Sequence, residues 1–212
     1  QHLTAAHFPK DVSAPIQYGP TIGATAVYLV QQHLLPLART GEVMADLLGV
    51  RMSEGTICSL IHNCAAGLVQ VEQEIKEALI TADVIHQDET SLSVMGKRYW
   101  EHVTCTATLT HYHVDPSRGQ AALEAIGILP QFKGISIHDG WGSYFLYDCE
   151  HAACLVHILR ELLFLAEEQG AIWAQQLKSL FLDMKEATEQ ARSEGRHWLH
   201  PVEVADWEAQ FF

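Results

Sequence analysis

The stretch Ala82-Asp83-Val84-Ile85-His86-Gln87-Asp88-Glu89-Thr90 decides the fold, together with its echo Gly134-Ile135-Ser136-Ile137-His138-Asp139-Gly140. Each is a short apolar run closed by an aspartate, and each reads as a β-strand that delivers a carboxylate at its C-terminal end. A lone aspartate in that place is usually a turn former or a helix cap. Two of them on neighbouring strands converge, and converging carboxylates bind hard divalent cations. Two such cations about 4 Å apart are the apparatus of in-line attack on a phosphodiester. Asp88 and Asp139 are therefore the candidate catalytic and metal-ligating residues, for Mg2+ or Mn2+.

Working outward, Tyr99–Thr106 and Ala107–Val114 are rich in Thr, Val and aromatic residues and read as two further strands. Ser117–Gly127 reads as a helix with Ala121, Ala122, Leu123 and Ile126 inward. The order is strand, strand, strand, helix, strand, with acids closing the first and fourth strands. That is the ribonuclease-H-like topology, in which those two strands are adjacent. From about Cys154 the chain reads helical, as Leu155–Gln169, Ala171 to about Ser193, and a last segment around Trp207.

Upstream, residues 1–20 contain Pro9, Pro15, Gly19 and Pro20 and read as an extended arm. Residues 21–37 read as a helix stopped by Pro36. A short helix then ends at Gly49, a natural C′ glycine, and Ser53 caps a helix from Glu54 to about Ala66. This is the helix-turn-helix arrangement, with two packed helices of any small bundle as the alternative. Ser53 and Thr56 are its candidate DNA contacts, although the second helix carries no Lys or Arg. Residues 68–80 continue as an amphipathic helix. The expected organisation is a helical region over 1–80, a ribonuclease-H-like core over 81–153, and a helical insertion over 154–212, in a mixed α/β fold.

Other residues carry weaker signals. Glu89 adjoins Asp88, so strand alternation turns it to the opposite face, where it reads as structural. Asp83 and Asp148 read as turn or cap residues. His86 and His138 precede the acids and read as packed side chains, with carboxylate orientation as the alternative. His151, Cys154 and His157 stand three apart, but a structural zinc site takes four ligands, so packing is expected there and no zinc is assigned. Arg160 is a candidate bidentate phosphate donor. Glu161 is either a third metal ligand or a partner for a basic neighbour. Trp141 and Tyr144 flank the second acid and either stack on a base or pack in the core.

Composition bounds the answer. The chain has 212 residues, is 48% hydrophobic, and shows no apolar run near the roughly 18 residues of a membrane span. Five cysteines with no Cys-x-x-Cys favour reduced thiols. No export signal is visible, and the chain opens on Gln1, which suggests a fragment. The net charge is −13. Residues 1–80 hold four basic and seven acidic side chains, and the remainder nine and nineteen. Phosphate binding needs Lys and Arg, so any DNA contact is local or made by parts of a longer protein. Bound cations would offset part of the acidity.

The ordered set Phe8-Pro9, Tyr18-Gly19-Pro20, Gln31–Thr40, Leu47–Thr56, Asp88-Glu89-Thr90, His138–Tyr144 and His151–Leu162 resembles the transposases of the insertion sequence 66 family over nearly the whole chain. The resemblance implies a DDE-type nucleotidyl transferase acting on DNA, at element ends and target, as a homo-oligomer in the bacterial cytoplasm. It gives Asp88 and Asp139 the first two acid positions. It also implies that Cys154 and His157 form the Cys-x-x-His signature found after the second acid in several such enzymes. The third acid is expected in an Asn-x-x-Glu-Arg-like segment, and none occurs here. A fragment lacking that acid, incomplete as a catalyst, is the expectation. The competing readings are a self-sufficient nuclease using Glu161 and a non-catalytic DNA-binding or assembly module. End sequence, target preference and oligomeric state have no signature in the chain.

Overall fold

A computed structural model describes residues 17–196 and 198–211, so Phe8-Pro9 and most of the expected arm lie outside the described residues. The chain forms two compact units that divide between Gln73 and Glu74.

In the first unit, α1 (Pro20–Gln31), α2 (Leu37–Leu48) and α3 (Glu54–Gly67) bury Ala26, Thr40, Met44 and Ile57. The first helix stops at Gln31, five residues short of the expected break. Pro36 instead caps the N-terminus of α2, a place where its fixed φ and missing N–H cost nothing. The second helix accordingly starts at Leu37. Its end is as expected, at Gly49 with φ 68°. Ser53 caps α3, its Oγ accepting the Thr56 N–H at 3.1 Å. The Tyr18 hydroxyl donates to the Arg51 carbonyl at 2.7 Å.

The helix α4 (Val69–Ile80) crosses the division. Its second half belongs with the sheet because Leu79 is fully buried in the sheet's core, with Ile75 and Ile80 packed against the same cluster. The second compact unit accordingly includes the residues of α4 from Glu74 onward.

The second unit holds a five-stranded sheet in the order β3-β2-β1-β4-β5, made of β1 (Val84–Val94), β2 (Lys97–Cys105), β3 (Thr110–Asp115), β4 (Ile135–His138) and β5 (Glu150–Ala153). The first three form an antiparallel meander, while β4 and β5 run parallel to β1. A mixed α/β fold with strands one and four adjacent is thus what the chain adopts. β5 was not foreseen: Glu150-His151-Ala152-Ala153 has little strand character of its own and is held by its ladder to β4. Helix α5 (Gln120–Ile126) lies between β3 and β4 in the chain and is shorter than the expected span.

One face of the sheet carries the core. Ile85 meets Leu79, Leu123, Ile126, Ile128, Leu129, Phe132 and Tyr144, all buried. Each large apolar side chain so placed contributes about 1.5–3 kcal/mol. Gly134 allows β4 to start against the end of α4: a Cβ there would stand 2.3 Å from the Asp83 carbonyl oxygen and 2.9 Å from that of Ala82. Beyond the sheet, α6 (Leu155–Gln169), α7 (Ile172–Ser193) and α8 (Pro201–Phe211) follow closely the helices read from periodicity. Among the described residues no helix is long and apolar enough to cross a membrane.

Candidate acidic site at the edge of the sheet

Asp88 is not at a strand end. β1 runs six residues further, to Val94, because it stays paired with β2 after β4 has stopped. The parallel ladder of β1 with β4 ends at His86 opposite Ile137. Continued two places, that register sets Asp88 level with Asp139, which follows the last residue of β4. The two acids thus share one edge of the sheet, one from mid-strand and one from a turn.

Their immediate partners differ. The Asp88 side chain is 52% exposed, and its Oδ2 lies 3.9 Å from His157 Nε2. It opens on a pocket of about 250 Å³ lined by His86, Val103, Cys105, Ile137, Cys154, His157 and Arg160, among others. Burial pushes the Cys105 thiol up from its ordinary value. Arg160 is exposed at the rim. Glu161 lines a neighbouring depression with Arg160, Phe164 and Leu165.

Asp139 is held from the other side. Its Oδ1 accepts the Trp141 N–H at 2.8 Å, an Asx turn, while Gly140 takes φ 89°. Its Oδ2 lies 3.5 Å from Arg118 Nη2. Arg118 also donates from Nε to Glu89 Oε1 at 2.6 Å, and its guanidinium sits 3.9 Å from the Trp141 ring centre and 5.0 Å from that of Trp100. Glu89 does face away from Asp88, and its carboxylate is 1% exposed. Its Oε2 accepts the Tyr144 hydroxyl at 2.5 Å. Burial first, and then that carboxylate, push the Tyr144 hydroxyl far above its ordinary value of 10. Tyr144 is thus a core residue, 2% exposed and stacked on His138, with no free face for a base. Trp141 is 44% exposed.

Sequence reasoning missed Arg118 entirely. It lies in the segment before α5, and nothing local distinguishes it from any other arginine.

His138 fixes the turn that carries Asp139. Its Nδ1 accepts the Gly140 N–H at 3.0 Å, so the ring proton sits on Nε2, which donates to His151 Nδ1 at 3.0 Å. His151 in turn donates from Nε2 to the Tyr147 carbonyl at 3.2 Å. Burial, then His151, hold His138 below its ordinary value, against an opposing pull from Asp139 and Glu89. His151 therefore belongs with His138, while Cys154 and His157 face the Asp88 pocket. Among the described residues no three His, Cys, Asp or Glu side chains group as a metal-ligand set.

No curated protein matches the sequence. A family model for the transposases of the IS66 family matches residues 15–210, nearly the full described chain and every strand and helix above. The chain belongs to the IS66 family of transposases.

Proposed function

We propose that Asp88 and Asp139 are two acids of a DDE-type nucleotidyl-transferase site that cuts the ends of a mobile element and joins them to target DNA. The observation that carries this reading is that the β1–β4 register, continued two places past its last pair, sets Asp88 level with Asp139, in a chain of a transposase family. The donor set suits the metal. Mg2+ keeps most of its waters and takes one or two carboxylates, and Asp88 and Asp139 supply two hard oxygen donors at one exposed edge. When bound, a pair of such ions neutralises charge on the attacking and leaving oxygens of an in-line displacement.

The chain's own groups do the remaining work. His157 stands beside the Asp88 carboxylate, its Nε2 3.9 Å from Oδ2, too far for a direct hydrogen bond. The Asx turn and His138 hold the Asp139 backbone, and Arg118 holds its carboxylate until a divalent cation competes for it. Arg160 donates to a phosphate from the rim of the Asp88 pocket. Trp141, the exposed aromatic of the pair read from sequence, stacks on a base. Joining two element ends to one target calls for more than one copy in the active assembly, working in the bacterial cytoplasm.

Mn2+ binding read by electron paramagnetic resonance tests this without any need for turnover. Asp88→Asn and Asp139→Asn should each weaken binding by about tenfold or more, that is about 1.4 kcal/mol. Unchanged affinity in both refutes the site. Glu161→Gln should bind as the unmodified chain does, and a matching loss there would make Glu161 a third ligand.

A further inference from the structure

The strands β1 and β2 outrun the rest of the sheet. β1 leaves β4 after His86, and β2 joins β3 only from Trp100. Between those points the two strands pair with each other alone, as Leu92 with Tyr99, Ser93 with Arg98, and Val94 with Lys97. Every residue from Ser93 to Arg98 is exposed, so this is a free two-stranded arm. Its tip, Met95, lies seven residues past Asp88. At about 3.3 Å per residue, the arm reaches roughly 20 Å beyond the candidate acids, from the same edge.

Three features of the arm go together. The turn is Met95-Gly96, with φ 51° and 78°. Left-handed values at both positions make a tight hairpin whose twist matches its strands, which stiffens the arm. A methionine in that conformation costs about 1–2 kcal/mol, where Asn or Gly would fit more cheaply. Yet Met95 is 97% exposed and Val94 42%, so neither gains from packing inside the fold. Lys97 and Arg98 are the one adjacent pair of basic residues in the whole chain. Arg39, Arg118, Lys133, Lys185 and Arg196 are each held by carboxylates. Alternation along the strand sends Lys97 to one face of the arm and Arg98 to the other.

We propose that this arm is a DNA-binding ribbon that enters the major groove of duplex DNA. That groove is about 12 Å wide and admits a two-stranded ribbon. A cation on each face then meets a phosphate wall on each side, and the apolar tip meets base edges such as the thymine methyl. In a chain with net charge −13, phosphate contact depends on cations without a carboxylate partner, and the arm concentrates two that have none among the described residues. The inference takes DNA as the partner from the family and stands apart from the metal reading, because it is tested with EDTA present.

The test measures fluorescence anisotropy of a labelled duplex of about 30 base pairs, titrated with the full chain over a range of salt concentrations. Each phosphate contact contributes about 0.9 to the slope of log affinity against log salt. Lys97→Ala combined with Arg98→Ala should lower that slope by about 1.8 and weaken binding at low salt by at least tenfold. Exchanging the cations, Lys97→Arg with Arg98→Lys, should keep the slope. Met95→Ser should weaken binding with the slope intact. Arg192→Ala, an exposed cation on α7, should change little. A double-alanine variant that keeps the parent slope overturns the proposal, as does an equal loss in Arg192→Ala or an unmodified chain with no salt-dependent duplex binding. Thermal unfolding of the double variant should match the parent, since both side chains are exposed; a large drop would mean the arm serves the fold instead.

Discussion

Replacing Arg118 by Met should reveal how far the Glu89 carboxylate depends on it. The substitution keeps an unbranched stem and deletes the guanidinium. Glu89 is 1% exposed and takes a 2.6 Å bond from Arg118 Nε. Removing one partner of a buried ion pair costs about 3–5 kcal/mol, because a bare charge stays behind. The Tyr144 hydroxyl still donates to Glu89, and Arg118 is itself 30% exposed, which together pull the expected cost to the low end. Loss of the guanidinium stacked on Trp141 adds about 0.5–1 kcal/mol. The sum is about 3–4 kcal/mol. At about 2–4 °C per kcal/mol for a chain of this size, the melting temperature should fall by roughly 6–16 °C. Urea unfolding followed by tryptophan fluorescence gives the free energy directly. In the Arg118→Met background, Glu89→Gln should recover about 1–2 kcal/mol by removing the stranded charge, whereas alone it should destabilise. A cost below about 1 kcal/mol for Arg118→Met, or equal effects of Glu89→Gln in both backgrounds, refutes the buried-pair reasoning.

Two further outcomes follow from the same region. His138 has its folded value held below its ordinary 6.5, so the unfolded chain takes up the proton first as pH falls. Its contribution to stability is therefore present above that value and is lost as pH drops through 6.5 toward the folded value. Stability measured against pH should lose this part of its acid-side decline in His138→Gln, and an unchanged decline would show that other groups carry it. Gly134→Ala places a Cβ 2.3 Å from a backbone oxygen, so it should destabilise by at least about 2 kcal/mol in urea unfolding. A neutral result would mean that β4 can shift away from the Asp83 carbonyl.

Much of the fold was legible because its signals are local. Ser53 and Gly49 mark helix boundaries by the chemistry of their own backbone groups. The change from helical to alternating period near residue 82 needs only neighbouring side chains to be seen, and so does the return to helix at Leu155. Pro36 shows the limit of such reading, since a proline signals a break equally well as the end of one helix or the start of the next. β1 was cut short at Asp88 because the polar residues after it hide a strand that faces solvent on both sides in the arm. β5 escaped notice because its pairing with β4 makes it a strand, and its composition does not.

The amino-acid sequence by itself determined the order of elements and that the first and fourth strands are neighbours, because periodicity and strand order are written in nearby residues. Tertiary structure alone decided what Asp88 and Asp139 touch. Arg118 stands 29 residues from Glu89 in the chain and reaches both it and Asp139, and His157 comes from a later helix to face Asp88. Such pairings depend on how strands and helices dock. No periodicity records them.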